Sequence, residues 1–384
     1  MQNGDFSEEG VQEVSNGSFS QEGSEEITNG DFTNGSTDWT VNAGITITDK
    51  ANFNSVSGAY ISQDILTTGK SYKLTFDITD YTSGDLTIYG GAVNAISTGY
   101  SLNAVGSYTI YFVSGGLDNQ IYFGNSFTGS IDNVSVREVG QDWTLGTGWS
   151  IGEDKAISDG TVNKGIQQEN ILTVGKIYKI TFDVDVTSGA LSSRIRFIND
   201  FGATTIANIT ASGSYTFYQE ADRTGLQYII LSDNTATCSI TNISVKEVGQ
   251  NWVLVNATIG NDLVLLDADS ANSQITQSNL GSTNSTSKLI TFTTISSSDE
   301  VNQILRVSQN IAGTSINIYT DDNGVNLSAI GVHKVTIPKD TSANDTLFVR
   351  LNSGANRVAS LSNFSVIEIT DDTNLPRISY ENFS

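Results

Sequence analysis

The chain has 384 residues, enough for two to four domains. Its formal charge is −23, with 19 Lys and Arg against 42 Asp and Glu, which repels phosphate backbones and argues against nucleic acid as a partner. One Cys (Cys238) and one His (His333) exclude an intramolecular disulfide and zinc sites of the thiolate or multi-histidine kind.

Charged residues make up only 16% of the chain, and Gly, Ser, Thr and Asn fill the gap. Thr, Val, Ile, Tyr and Phe form strands, while Gly, Asn, Asp and Ser make turns, so the class is all-β. No apolar run approaches the roughly 18 residues of a membrane-spanning helix. The opening "MQNGDFSEEG" has neither the basic start nor the apolar stretch of a secretory signal.

Residues 1–28 carry seven acids, and no Lys or Arg occurs before Lys50. "NGDF" at Asn3–Phe6 and "NGSF" at Asn16–Phe19 precede a third "NGDF" at Asn29–Phe32, the Asn residues standing 13 apart each time. One aromatic per unit is too few for a core. By composition the segment is a solvated acidic tail; its regular repeat favours an extended arm that pairs strand by strand with a partner or a neighbouring copy.

From residue 29 the chain repeats itself. "LTTGKSYKLTFDIT" (66–79) matches "LTVGKIYKITFDVD" (172–185), and "IDNVSVREVGQDWTLG" (131–146) matches "ITNISVKEVGQNWVLV" (240–255). "LSNFSVIEITDD" (361–372) is a looser third copy. The divisions are an arm at 1–28, module 1 at 29–139, module 2 at 140–249, a divergent module 3 at 250–370 and a tail at 371–384. Within a module the alternation is that of half-buried strands: Tyr72, Leu74, Phe76 and Ile78 share one face, Lys73, Thr75 and Asp77 the other. Short strands broken by turns such as "SGG" (114–116) and "DDNG" (321–324) predict a two-sheet sandwich. In module 3, "SSSDEVNQILRV" (296–307) reads either as strand or as a helix capped by Ser298. Modules joined through "VGQDW" and "VGQNW" leave almost no linker, which predicts a stiff rod.

"NGDF…TDW", "GKSYKLTFD" and "IDNVSVREV" resemble the jelly-roll carbohydrate-binding modules attached to xylanases and cellulases. The likeness is best over 29–139 and weakest in module 3. Tandem copies followed by "TNLPRISYENF" (373–383) resemble tail-fibre and other virion structural proteins of bacteriophages, in which a further lectin-like domain commonly follows. This resemblance implies three tandem jelly-roll β-sandwiches behind an extended N-terminal arm. It also implies a structural calcium ion near a module opening; Asp31 in the opening and Asp132 in the closing strand are its candidate ligands in module 1, with Thr241 and Ser362 at the matching places of modules 2 and 3. The arm would then hold other virion proteins, and fibres of this kind are symmetric homo-oligomers, a trimer being the family's usual state.

Sugar binding needs exposed aromatic faces with nearby hydrogen-bonding groups. Alternation places Tyr89, Tyr111 and Tyr122 opposite the core residues of module 1, where they are candidates to line one outer face, with Tyr218 and Arg196 on the matching face of module 2. Half-buried strand tyrosines and a subunit contact are competing uses of those residues. His333 in "GVHKVTIP" reads as structural, and no nucleophile or metal-hydrolase motif occurs, so no enzyme is expected and no cofactor is required. The expectation is a non-enzymatic phage fibre or appendage, of tail or capsid, located in the virion and binding host-surface polysaccharide without inserting into a membrane. A bacterial cell-surface carbohydrate-binding adhesin is the alternative, and the accessory region of a polysaccharide-degrading enzyme the third reading.

Overall fold

The computed structural model describes residues 3–369 apart from 56, 92–94, 162–164, 198–203, 222–226, 234–235, 279–286, 312–313 and 339–345, and leaves out the side chains of 191–208, 222–235 and 309–315. The chain is all-β: the described residues form 31 strands in six sheets. Three hydrophobic clusters lie between these sheets, one to each facing pair, and two of them also take in residues from outside their pair. The expected tail at 371–384 falls outside the described residues.

Module 2 shows the wiring most fully. One sheet runs in the order Trp149–Gly152, Lys155–Asp159, Thr237–Val248, Ile177–Ser188, Gly213–Glu220. The facing sheet runs Thr144–Leu145, Gly165–Glu169, Gln227–Asp233, Leu191–Phe197, Thr204–Ile209. All pairings are antiparallel and the chain alternates between the two sheets, which is the jelly-roll order. The same order recurs in the sheets built by residues 40–139 and 253–369. Period-two patterning explains it: Tyr72, Leu74, Phe76 and Ile78 are all buried, while Lys73, Thr75 and Asp77 between them stay half-exposed. The capped helix considered at 296–307 is absent. Strand Ser287–Ser297 leads through bends into strand Leu305–Ile311, and Val301, which the helix would have turned inward, is 86% exposed.

The N-terminal segment answers the puzzle of its repeat. Phe32, Phe19 and Phe6 are each essentially buried, and each enters a different core. Phe32 packs on Trp39 at 5.2 Å, Phe19 on Trp143 at 5.2 Å, and Phe6 on Trp252 at 5.4 Å. Each tryptophan donates its indole N–H to the carbonyl of the preceding repeat Asn: Trp39 to Asn29, Trp143 to Asn16 and Trp252 to Asn3, all at 3.0 Å. The next glycine carbonyl takes an amide from the closing strand: Val134 to Gly30 and Ile243 to Gly17 at 2.9 Å, Phe364 to Gly4 at 2.7 Å. The repeats are thus three plugs, delivered in reverse order: the third copy opens module 1, the second fills module 2 and the first fills module 3. The arm runs back along its own chain.

Each closing strand is prepared for this. Asn133, Asn242 and Asn363 adopt left-handed φ of 52°, 54° and 56°, which divides the strand in two. In module 1 the first half pairs with Ala51–Asn54, and the second with arm strand Glu22–Glu25 through Arg137↔Glu25 and Val139↔Glu22. In module 2 the second half pairs with arm strand Glu9–Gln12. The arm's acids find the bases they need: Glu22 meets Lys73 at 2.5 Å, and Glu9 bridges Lys179 at 2.6 Å and Lys246 at 2.9 Å. Glutamines hold the backbone just ahead of the Phe32 and Phe19 plugs. Gln63 exchanges two hydrogen bonds with Thr28 (3.1 and 2.6 Å), and Gln168 does the same with Ser15 (3.0 and 2.5 Å).

Candidate functional site

In module 1 the sheet Thr40–Val41, Tyr60–Asp64, Gln120–Gly124, Thr87–Gly90 turns one face to its core and the other outward. Ile61, Ile88, Ile121 and Phe123 fill the inner face. Tyr60, Tyr89 and Tyr122 therefore project from the outer face by simple alternation. Tyr89 and Tyr122 are direct cross-strand partners. Tyr60 bridges them edge-on, its ring centroid 5.8 Å from Tyr89 and 6.1 Å from Tyr122. All three are half-buried.

Polar groups frame the cluster. The Tyr122 hydroxyl donates to Asp118 Oδ2 at 2.7 Å; burial, and then this carboxylate, push the phenol up to about 12. Burial, then the hydrogen bond with Tyr89, also raise Tyr60. Both phenols stay protonated as donors across the physiological range. Gln120 lies opposite Asp64, and Ser62 opposite Tyr122, so amide, carboxylate and hydroxyl groups share the face. Aromatic rings beside such groups can stack on a sugar's apolar face and bond its hydroxyls.

The sequence-expected residues divide. Tyr89 and Tyr122 meet on one surface, and Tyr60, not among the expected residues, completes it; its signal is the alternation Tyr60, Ser62, Asp64 in "YISQD". Tyr111 does not join them. It lies on Gly106–Val113 in the opposite sheet, across from Lys73, and packs against module 2's core beside Gly152. Tyr218 repeats the arrangement one module on, across from Lys179 and against module 3's core beside Gly260. Alternation turned both outward from their own module, but the next module covers that face, so they cement joints. The backbone of Arg196 pairs with Tyr228, while its side chain lies outside those described.

Asp31 and Asp132, the candidate calcium ligands, engage local donors: Asp31 Oδ1 accepts from the Thr33 amide at 3.2 Å and hydroxyl at 3.0 Å, and Asp132 Oδ1 from the Asn133 amide at 2.7 Å. Among the described residues no group of three or more His, Cys, Asp or Glu could hold a metal, so a site here would depend on main-chain oxygens. The neighbouring modules show where those are. At the place of Asp132, Thr241 donates to the carbonyls of Asp154 (2.9 Å) and Ser18 (3.3 Å), and Ser362 to that of Asp262 (3.0 Å). A carboxylate cannot donate to carbonyls, whereas a hard cation between them satisfies both. Of the three modules, only module 1 carries at this place the anionic oxygen that a hard cation needs.

His333 is buried, its ring against Phe292 at 5.4 Å, with Nε2 2.8 Å from the Ala329 carbonyl and Nδ1 3.5 Å from Asp321 Oδ2. Asp321 is itself spent on the amides of Asn323 and Val325, both at 2.9 Å, holding the turn "DDNG". The pair fixes a loop.

Neither a family profile nor a curated protein sequence matches this chain. Among solved structures it is similar to a tandem CBM22 domain from Paenibacillus barcinonensis, with 9% identity over 60% of this chain and 94% of that one and a TM-score of 0.25. A protein of Sulfolobus Turreted Icosahedral Virus aligns at 14% identity over 86% and 89% of the two chains, with a TM-score of 0.20. Tandem CBM51 modules from Streptococcus pneumoniae align at 12% identity over 83% and 84%, with a TM-score of 0.17. Scores this low carry no argument about ligand or role, and the architecture stands on the chain's own strand order.

Proposed function

We propose that this chain is a non-catalytic structural protein of a virus particle, a fibre or appendage of tail or head, whose first module binds a surface glycan. The tyrosine cluster Tyr60–Tyr89–Tyr122 on an outer sheet face, framed by Asp64, Asp118 and Gln120, is the observation that supports the binding role. The structural role is supported by sandwiches that follow one another without slack and are tied along their length by one strap. Since the arm pairs within its own chain, attachment to other particle proteins would use other surfaces, in the symmetric oligomer that fibres form. A glycan array probed with the full chain tests the binding role. Hits should fall at least tenfold with Tyr89→Ala or Tyr60→Ala and persist with Tyr111→Phe; a blank array, or hits indifferent to both alanines, would refute it. Purified particles lacking the chain would refute the structural assignment separately.

A further inference from the structure

Module 3 presents the same outer face as the tyrosine cluster, but with different chemistry. Its sheet places Gln274, Arg350 and Arg306 side by side, with Arg350 directly across from Gln274 on one strand and from Arg306 on the other. In module 1, Tyr60 and its partner Gly124 occupy the corresponding row, with Thr87 beyond. Two arginines directly opposite each other repel, and a sheet keeps such a pair only at a cost.

The pairing is out of character for this molecule. Elsewhere Lys70, Lys73, Arg137, Lys176, Lys179 and Lys246 each stand within ion-pair distance of a carboxylate. Arg306 and Arg350 turn instead to neutral acceptors. Arg306 Nη1 donates to the Tyr319 hydroxyl at 3.1 Å, and Arg350 donates through Nε (2.8 Å) and Nη2 to the single oxygen Gln274 Oε1. Arg306 Nε is buried and has no acceptor at all. Burial, and then the charge of Arg306, lower the affinity of the Arg350 guanidinium for its proton. Phe348, two residues from Arg350 on the same strand face and half-buried, adds an aromatic ring.

We propose that this face of module 3 is a second binding site, taking an anionic group of carboxylate or sulfate geometry between Arg306 and Arg350. Guanidinium forks match such groups two bonds at a time, and one anion placed between the pair removes their repulsion and supplies the missing acceptor. Phe348 and the Tyr319 ring edge then suit the ring of a uronic or sulfated sugar; this saccharide part rests on the glycan-binding reading, while the anion site does not. The acidic remainder of the chain repels free anions, so the site selects for ligands that bring further contacts.

Isothermal titration of the full chain tests it, with tetragalacturonate, a heparin-derived tetrasaccharide, inorganic sulfate and neutral cellotetraose as probes. At least one acidic oligosaccharide should bind, weaken as salt rises, and lose tenfold or more in affinity in Arg306→Gln and in Arg350→Gln, while Tyr89→Ala leaves it unchanged. Both glutamine variants should melt no lower than wild type without ligand, because each removes a like-charge contact. Sulfate binding lost in the same variants, without any oligosaccharide binding, upholds the anion site and removes its sugar. No binding by any anion, or binding indifferent to both substitutions, overturns the proposal.

Discussion

Phe19 stands 124 residues ahead of the tryptophan it packs on, so replacing it tests whether the arm is a structural part of a distant module. The side chain is 1% exposed, lies 5.2 Å from Trp143, and belongs to the same cluster as Trp149, Ile180 and Val245. Phe19→Ala removes a buried ring, and truncations of this kind cost about 3–5 kcal/mol. For a sandwich of this size each kcal/mol moves the midpoint by roughly 4–8 °C, so the module 2 transition should fall by about 10 °C or more. Scanning calorimetry reads the shift. Amide exchange locates it: the Ile243 amide, bonded to Gly17 O, and the Val245 amide, bonded to Gln12 Oε1, should lose protection first. Val11→Ala, on the same arm but 77% exposed, is the control and should change nothing measurable. An unmoved module 2 transition in Phe19→Ala, with those amides still protected, would refute the plug.

Gly17→Ala should be about as damaging as Phe19→Ala, since an added Cβ would sit 2.0 Å from the Ile243 carbonyl; Gly10→Ala meets the movable end of Gln250 at 2.8 Å and Glu247 Cβ at 3.2 Å, with no backbone atom nearer than 3.4 Å, and should cost far less, which urea titration of the two variants checks. Lys179 and then Lys246 hold Glu9 below the ordinary carboxylate range. A depressed carboxyl stabilises above its unfolded value and loses that contribution as pH falls through the folded one, so the arm should loosen in acid, and Glu9→Gln should flatten this part of the pH profile. Because the three groups are about a third exposed, the change should stay within about 1 kcal/mol. Chelator should lower the module 1 melting transition in wild type and not in Asp132→Asn; an identical response in both would remove calcium from that site.

Much of the fold was legible because it depends on local rules. Period-two patterning in "SYKLTFDIT" and "IYKITFDVD" sets the central strands, and the recurrence of "DNVSV" and "TNISV" sets the closing ones. The destination of the first two repeats was not legible in the same way. "NGDF" at Asn3–Phe6 reads as an opening with no module behind it, since sequence order says nothing about which of three similar grooves a segment enters. The clue was charge: an acidic arm beside modules whose Lys73, Arg137, Lys179 and Lys246 face outward from paired strands. The site shows a similar limit. Alternation tells which side of a strand Tyr89 and Tyr111 occupy, but not that solvent lies beyond one and a neighbouring module beyond the other. Arg306 and Arg350 lie 44 residues apart, and only strand register makes them neighbours.

Reversing the plugs changes what the joints must withstand. Had each plug preceded its own module, adjacent modules would be held by the short "VGQDW" and "VGQNW" connections and by joint residues such as Tyr111 and Val139 at the first and Tyr218, Ile177 and Val248 at the second. With the arm laid back along the row, a second covalent path crosses both joints, clamped at Phe32, Phe19 and Phe6 and hydrogen-bonded to the sheets between. Bending one module away from the next then requires a plug to leave its core or an arm strand to leave its ladder. Each of those steps exposes buried apolar surface or unpairs backbone groups, beyond the joint contacts that bending breaks in any case. Resistance to bending would therefore come from the far end of the chain's own sequence, and modules 2 and 3 complete their cores only when residues made before either of them have folded back.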